Sequence, residues 1–550
     1  MNFTKKIALF LFVWSVLLSQ EKSNYTLKFE TASIERVKTH LEYLGSDLFK
    51  GRGTGTIGGN LAAKYLAGEF SKYNLTPMGN NGTFYQYVPI HGSTPLKNTK
   101  LILENDAATD TLELSKDYLI IKSGQDLITN TPLEMVFVGY GIIANEYDYN
   151  DYQSVNVEGK IAVMFEGEPI SNDINYFNAQ NETIYSNLEA KQRIALSRGA
   201  KGCIFIVNPK DQTENYWKEL QKTYSFENLS LAYSVSGSLC VLINANKAPL
   251  LFNNVKNDYQ EVLKKHNERK TIGFPLNTKF YFKGEFKRRD FLAPNIIGMI
   301  KGNDPDFNDK YIIISAHYDH LGIGYPVKGD SIYNGVFDNA SGTAALLEIA
   351  KTFSETVNNF RYSIIFLLVT GEEAGLLGSS YYTNHAIVPL YKTIANINID
   401  GIASFDRFKS ISGIGSELSS LNNTLLQTAD SCNLKIDEIP DIFMQTDAFR
   451  NSDQISFALA GVPSILIMEG LNYENLSYNE GLTKFINYST NIYHTPFDDL
   501  TQPINYNAFI QHVSVIAKFI TILNNLPNEP EWNTGIPFNI ERLRTKAEKR

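Results

Sequence analysis

The chain is poor in several features that would place a protein quickly. Three cysteines in 550 residues, Cys203, Cys240 and Cys432, are too few for a disulfide framework. Two of them lie in apolar, strand-like runs, GCIFIV and LCVLIN, where small buried thiols are common, and a bridge between those two stays open. Positive charge is short as well. Fifty Lys and Arg against 59 Asp and Glu give a formal net charge of −9, with no long basic run. Phosphate backbones need clustered Lys and Arg, so the composition argues against a nucleic-acid partner. The N-terminal apolar run Ile7 to Leu18 is too short for a comfortable membrane span. With Lys5 and Lys6 before it and SQEKSN after it, residues 1–20 read as a secretory signal peptide, and a secreted or periplasmic location follows. No cysteine succeeds the run, which argues against a lipoprotein anchor; an uncleaved anchor stays open. Cleavage removes two lysines and no acid, taking the charge from −9 to −11. No stable membrane span is expected after cleavage.

What is present describes a folded globular protein: 43% hydrophobic, 20% charged and 12% aromatic residues. The length exceeds what one hydrophobic core organises, so two or three domains are expected. Residues 33–50 carry helical spacing, the glycine-rich GRGTGTIGGN follows, and a second helical stretch comes after it. From about Leu101 to Phe286 short β-branched and aromatic runs recur between turn signals, around one helical segment, NLEAKQRIALSRGA. From about Pro294 apolar strands alternate with helices: NIIGMI, YIIISAH, YSIIFLLVT, TIANINI and PSILIM. Such alternation implies a largely parallel sheet covered on both faces. No internal repeat is evident. The polar residues 528–550 read as a surface tail.

Histidine is scarce too, eight in all, yet YIIISAHYDHLG holds two of them around an aspartate. In a parallel α/β sheet, ligands gather outside the carboxyl ends of the strands. The strand ends here carry His317 and Asp319, the paired Glu372 and Glu373, and Asp400. Asp338 stands just before a helix, and His494 follows an irregular stretch. Taken singly, each has an ordinary explanation as a packed histidine, helix start or cap. His320, His40, His91, His266, His385 and His512 are read in that ordinary way. Together, five carboxylates in one crevice would repel one another without compensating positive charge. Divalent metal supplies it, and imidazole with carboxylate suits zinc, with one carboxylate shared in a two-metal centre.

In order and spacing, HYDHLG, DNASGTAA, GEEAGLLGS, NID and YHTPFDD resemble the M28 family of dinuclear zinc exopeptidases. The N-terminal YLGSDLFKGRGTGTIGGNLAAKYLAGEF and the downstream RNSDQISFALAGVP resemble family segments as well. The strand-rich module, with VFVGYGI and DYNDYQSVNVEGKIAVMFEG, resembles a protease-associated (PA) domain. The resemblance implies a three-layer α/β/α zinc-peptidase domain with a largely parallel mixed sheet over residues 30–115 and 290–527. It also implies a β-rich PA insertion over 116–289. By the same resemblance Asp338 would bridge two Zn2+ ions, His317 and Asp400 would complete one site, and Glu373 and His494 the other. Asp319 would orient His317, and Glu372 would be the general base. Two positions depart from the family pattern, Phe337 in place of a second acid and Gln454 in place of a histidine. An aminopeptidase acting on peptide substrates is the implied activity. A glutamate-carboxypeptidase-like enzyme, for which Arg450 is a candidate clamp, and a non-catalytic binding protein on the same scaffold are the alternatives.

Overall fold

A computed structural model describes residues 32–547, apart from 123–126, 130, 170–172, 174–175, 178–182, 209–212, 235–237, 254–257, 268–272, 356–359 and 438–447. The expected signal peptide lies outside the described residues.

The larger sheet is mixed. Its strands run in the order Asn228–Leu231, Tyr85–Pro95, Phe286–Ile300, Ser363–Val369, Tyr311–His317, Thr393–Asn398, Ser464–Glu469, Ser410–Ile414 and Lys435–Ile436. The four central strands, from Ser363–Val369 to Ser464–Glu469, are mutually parallel. Their continuous apolar sequences follow from burial on both faces. Alternation along Tyr311–His317 splits the load: Ile312 and Ile314 join one core and Ile313 the other. The first core is closed by the helices Ile34–Leu44, Ile57–Lys72, Gly342–Glu355 and Tyr506–Asn524. The second packs under Leu377–Asn384 and Gln454–Leu459 through Tyr382 and Phe457. The result is an α/β domain with helices on both faces of a mixed sheet.

Tyr506–Asn524 is long and apolar enough to cross a membrane. Its Val513, Ile516, Phe519 and Ile520 are nevertheless buried in the first core. Ile34–Leu44 is capped by the Ser33 hydroxyl, which accepts from the Arg36 amide, and Ile57–Lys72 starts at the Thr56 cap. The latter begins four residues before the apolar periodicity, so part of the glycine-rich stretch is helical.

A second sheet runs Thr109–Leu112, Lys100–Glu104, Phe274–Gly284, Leu133–Phe137, Ile161–Phe165, Gly202–Ile206, Leu239–Ile243 and Tyr118–Lys122. It has its own cores on either face. Two of its strands, at Lys100 and Thr109, precede residue 116. Asn228–Leu231 leaves this module to pair with Tyr85–Pro95 at the edge of the larger sheet. Cys203 and Cys240 sit opposite each other on adjacent parallel strands, both buried. The C-terminal segment, expected as a surface tail, is largely exposed among its described residues but is anchored at a few points. Trp532 and Arg542 are buried, and the Arg542 guanidinium donates to the carbonyl oxygens of Leu390 and Thr393. Apolar Trp532 and the carbonyl-seeking Arg542 override the polar average of the segment.

Candidate metal centre

The parallel strands deliver their last residues to one rim. His317 ends Tyr311–His317, Glu372 and Glu373 follow Ser363–Val369, and Asp400 follows Thr393–Asn398. Asp338 lies in the tight turn Val336–Ser341 that opens the helix Gly342–Glu355. His494 comes after the helix Tyr478–Asn491 with φ of 53°. All seven expected site residues converge here.

Asp338 is at the middle. Its Oδ1 lies 3.2 Å from His317 Nε2 and its Oδ2 lies 3.0 Å from His494 Nε2. His317 Nε2 is also 3.2 Å from Asp400 Oδ1, and His494 Nε2 is 3.1 Å from Glu373 Oε2. Two groups able to hold a metal result: His317, Glu372 and Asp400 on one side, and His320, Asp338, Glu373 and His494 on the other. The donor set fits such an occupant. Asp338 Oδ2 and His494 Nε2 are buried and close, yet neither is aligned for a hydrogen bond. Unsatisfied buried polar atoms are costly, and here both belong to one group of possible ligands.

Surrounding residues hold this arrangement. His317 Nδ1 donates to the main-chain carbonyl of Asp319 at 3.1 Å. The contact expected from the Asp319 carboxylate is thus made by its backbone, since Oδ1 stands 3.9 Å from Nδ1. The carboxylate instead accepts from the Thr54 hydroxyl and from the Glu372 amide, pinning the loop that carries both glutamates. Asp400 Oδ2 accepts from Ser452 Oγ at 2.5 Å. Asp498 accepts the amides of Phe337 and Asp338 and so fixes the central turn.

Buried Arg52 donates to the carbonyls of Leu44, Tyr318, Asn334 and Gly335, tying the two loops that carry His317 and Asp338. Burial holds its pKa down to about 10. Gln454, at one of the departures from the family pattern, accepts from Asn398 Nδ2 and donates to the carbonyls of Ala448 and Phe449. It braces the end of the strand that leads to Asp400. Arg450, the candidate clamp, is exposed.

The adjacent glutamates are driven in opposite directions. Burial lifts the Glu372 carboxyl well above the usual range, with His317 opposing and Glu373 and Asp400 adding to it. For Glu373 burial and Asp338 act upward too, but His494 and His320 outweigh them and bring it to about 2. His317 is held well above the ordinary histidine range because Glu372 and Asp400 overcome the opposing effect of burial.

His320, Arg52, Thr54 and Asp498 were not anticipated. His320 stands three residues from His317 in the same motif, and Asp498 four residues from His494, so proximity in sequence was the available signal. A cavity of about 610 Å³ adjoins the cluster, with Asp319, His320 and Glu373 among its lining residues. Its other walls come from Thr54, Ile57 and Ile323 of the larger domain and from Ile121, Phe226 and Leu229 of the strand-rich module.

Residues 295–520 match the model of peptidase family M28. This stretch is an M28 peptidase domain. Among curated relatives, a probable leucine aminopeptidase 2 of Aspergillus oryzae is 29% identical over 265 residues, 45% of this chain and 48% of that protein. A glutamate carboxypeptidase 2 homolog of Caenorhabditis elegans is 24% identical over 307 residues, 49% of this chain and 37% of that one. The match thus spans less than half the length of these relatives. Among solved structures, an aminopeptidase from Aneurinibacillus sp. strain AM-1 superposes with a TM-score of 0.55 at 17% identity, covering 92% of this chain and 99% of the other. That likeness establishes the fold, the strands outside the M28 domain included.

Proposed function

We propose that this protein is a secreted or periplasmic dinuclear zinc exopeptidase that removes N-terminal residues from peptides. The observation that carries the reading is the central carboxylate of Asp338, with one oxygen toward His317 and the other toward His494. In this reading His317, Asp338 and Asp400 hold one ion, and Asp338, Glu373 and His494 hold the other. Zinc bound there lowers the pKa of a water molecule and polarises the scissile carbonyl. Glu372, in the group with His317 and Asp400, takes the proton from the attacking water and returns it to the leaving amine. Asp319 keeps Glu372 in place through the Glu372 amide. The strand-rich module, as a PA-type domain, borders the cleft and shapes access, a role supported by its share of the cavity walls.

A carboxypeptidase reading is the second one, favoured by the named relative from Caenorhabditis elegans. One experiment separates them: zinc content by elemental analysis, alongside hydrolysis of N-blocked and free-amine peptide pairs. Two zinc ions per chain and cleavage abolished by N-blocking are expected. Cleavage indifferent to N-blocking assigns the carboxypeptidase instead, and a chain without zinc overturns both.

A further inference from the structure

We propose that His320 is a positioning residue that commits Glu373, rather than Glu372, to the metal. The inference rests on the two-ion reading above. His320 Nδ1 lies 2.5 Å from Glu373 Oε1. Two donors sharing a tetrahedral zinc ion at about 2.0–2.1 Å stand roughly 3.3 Å apart, so 2.5 Å is a hydrogen bond and not shared ligation. The separations of 3.0 to 3.2 Å among His317, Asp338, Asp400, Glu373 and His494 match shared ligation instead.

His320 Nδ1–H therefore donates to Oε1 and leaves Oε2, beside His494, as the oxygen that faces the ion. The other ring nitrogen, Nε2, is buried without a hydrogen-bond partner among the described residues. Leaving a buried ring nitrogen so is unfavourable. The bond to Glu373 is the polar contact for which the ring is kept at that cost.

The backbone leaves the ring no alternative place. His320 is 1% exposed, and a Cβ built on Gly335, whose φ is +60°, would stand 2.4 Å from His320 Cγ. Arg52 holds that same glycine through its carbonyl. The His494 ring meets His320 edge-on at 5.6 Å. The imidazole thus lies between Gly335, where a side chain would collide with it, and the carboxylate it orients. Glu372, one residue earlier, has its amide bound to Asp319, and its side chain groups with the other ion's ligands. The division of labour between two neighbouring glutamates is set by which of them the histidine engages.

The test uses full-length wild type with His320→Ala, His320→Asn and His320→Gln, titrated with zinc against a competing chelator, with the folded state checked by circular dichroism. An Asn amide places a donor near Nδ1, whereas Gln places one near Nε2. One of two ions is expected to bind about ten- to a hundredfold more weakly in His320→Ala, with the other unchanged. Asn is expected to restore most of the loss and Gln little of it. Wild-type affinities for both ions in His320→Ala overturn the proposal while the two-ion reading stands. Equal behaviour of Asn and Gln overturns it too and leaves only packing; that pair decides the matter if His320→Ala does not fold. A wild type that takes up no divalent ion overturns the two-ion reading, and this inference with it.

Discussion

At the residue scale, the centre depends on how adjacent side chains are made unlike. Glu372 and Glu373 share a loop and a charge, yet only Glu373 is flanked by His320 and His494. Glu372→Ala is expected to retain its zinc and to lose hydrolysis by at least about a hundredfold, the lower end for a missing general base. Turnover of an aminoacyl chromogenic substrate, read beside metal content, checks both halves. On the two-ion reading, Asp338→Asn is expected to lose zinc and hydrolysis together, since the same carboxylate touches both halves of the cluster. Elemental analysis that still finds full zinc in that variant would remove Asp338 from the centre. Residues at strand ends were legible because a polar group terminating an apolar run is conspicuous. Arg52 and Thr54 were not, because their partners are 265 or more residues away or main-chain carbonyls, which leave no mark in the sequence.

At the scale of elements, the two N-terminal helices are joined by a buried histidine. His40 Nδ1 meets the Tyr65 hydroxyl at 2.6 Å and Nε2 meets the Tyr73 hydroxyl at 3.0 Å. Burial, with lesser effects of nearby charges, lowers its pKa to about 4. The unfolded chain, near 6.5, binds the proton first as pH falls. The stability His40 contributes is therefore complete above pH 6.5 and is lost as pH drops toward 4, up to about 3 kcal/mol. Urea midpoints of the metal-free protein at pH 7.5 and 5 should fall more for wild type than for His40→Gln; parallel falls would refute the linkage. The helices themselves were legible from apolar spacing, but the start at Ile57 was not. Gly58 and Gly59 face the backbone of Phe49 and Gly53 so closely that only glycine fits, a tertiary demand that propensity cannot express.

At the scale of the molecule, two sheets with separate cores meet beside the cluster. Phe226 of the smaller module lines the cavity and meets Tyr333 of the larger domain edge-on at 5.1 Å. Phe226→Ala is expected to change relative kcat/KM between peptides with small and large apolar residues by about tenfold, with zinc content unaltered. An unchanged peptide profile would separate the module from selectivity. Removing metal with a chelator should lower Tm by several degrees, since ligands that bind only the folded state stabilise it and five crowded carboxylates lose their counter-charge. A Tm indifferent to the chelator would count against a metal within the cluster.

Local sequence determined the strands, the helices and the identity of the polar groups at their ends, because periodicity and side-chain chemistry are properties of neighbours in the chain. Only the tertiary structure decided that Asp338 stands between two histidines, that the Asp319 carbonyl and not its carboxylate meets His317, and that His320 engages one glutamate of a pair. The first and last are distances between residues far apart in order, set by how the sheet stacks its strand ends, and the second, only two residues apart, depends on how the loop after His317 turns, which no local pattern encodes.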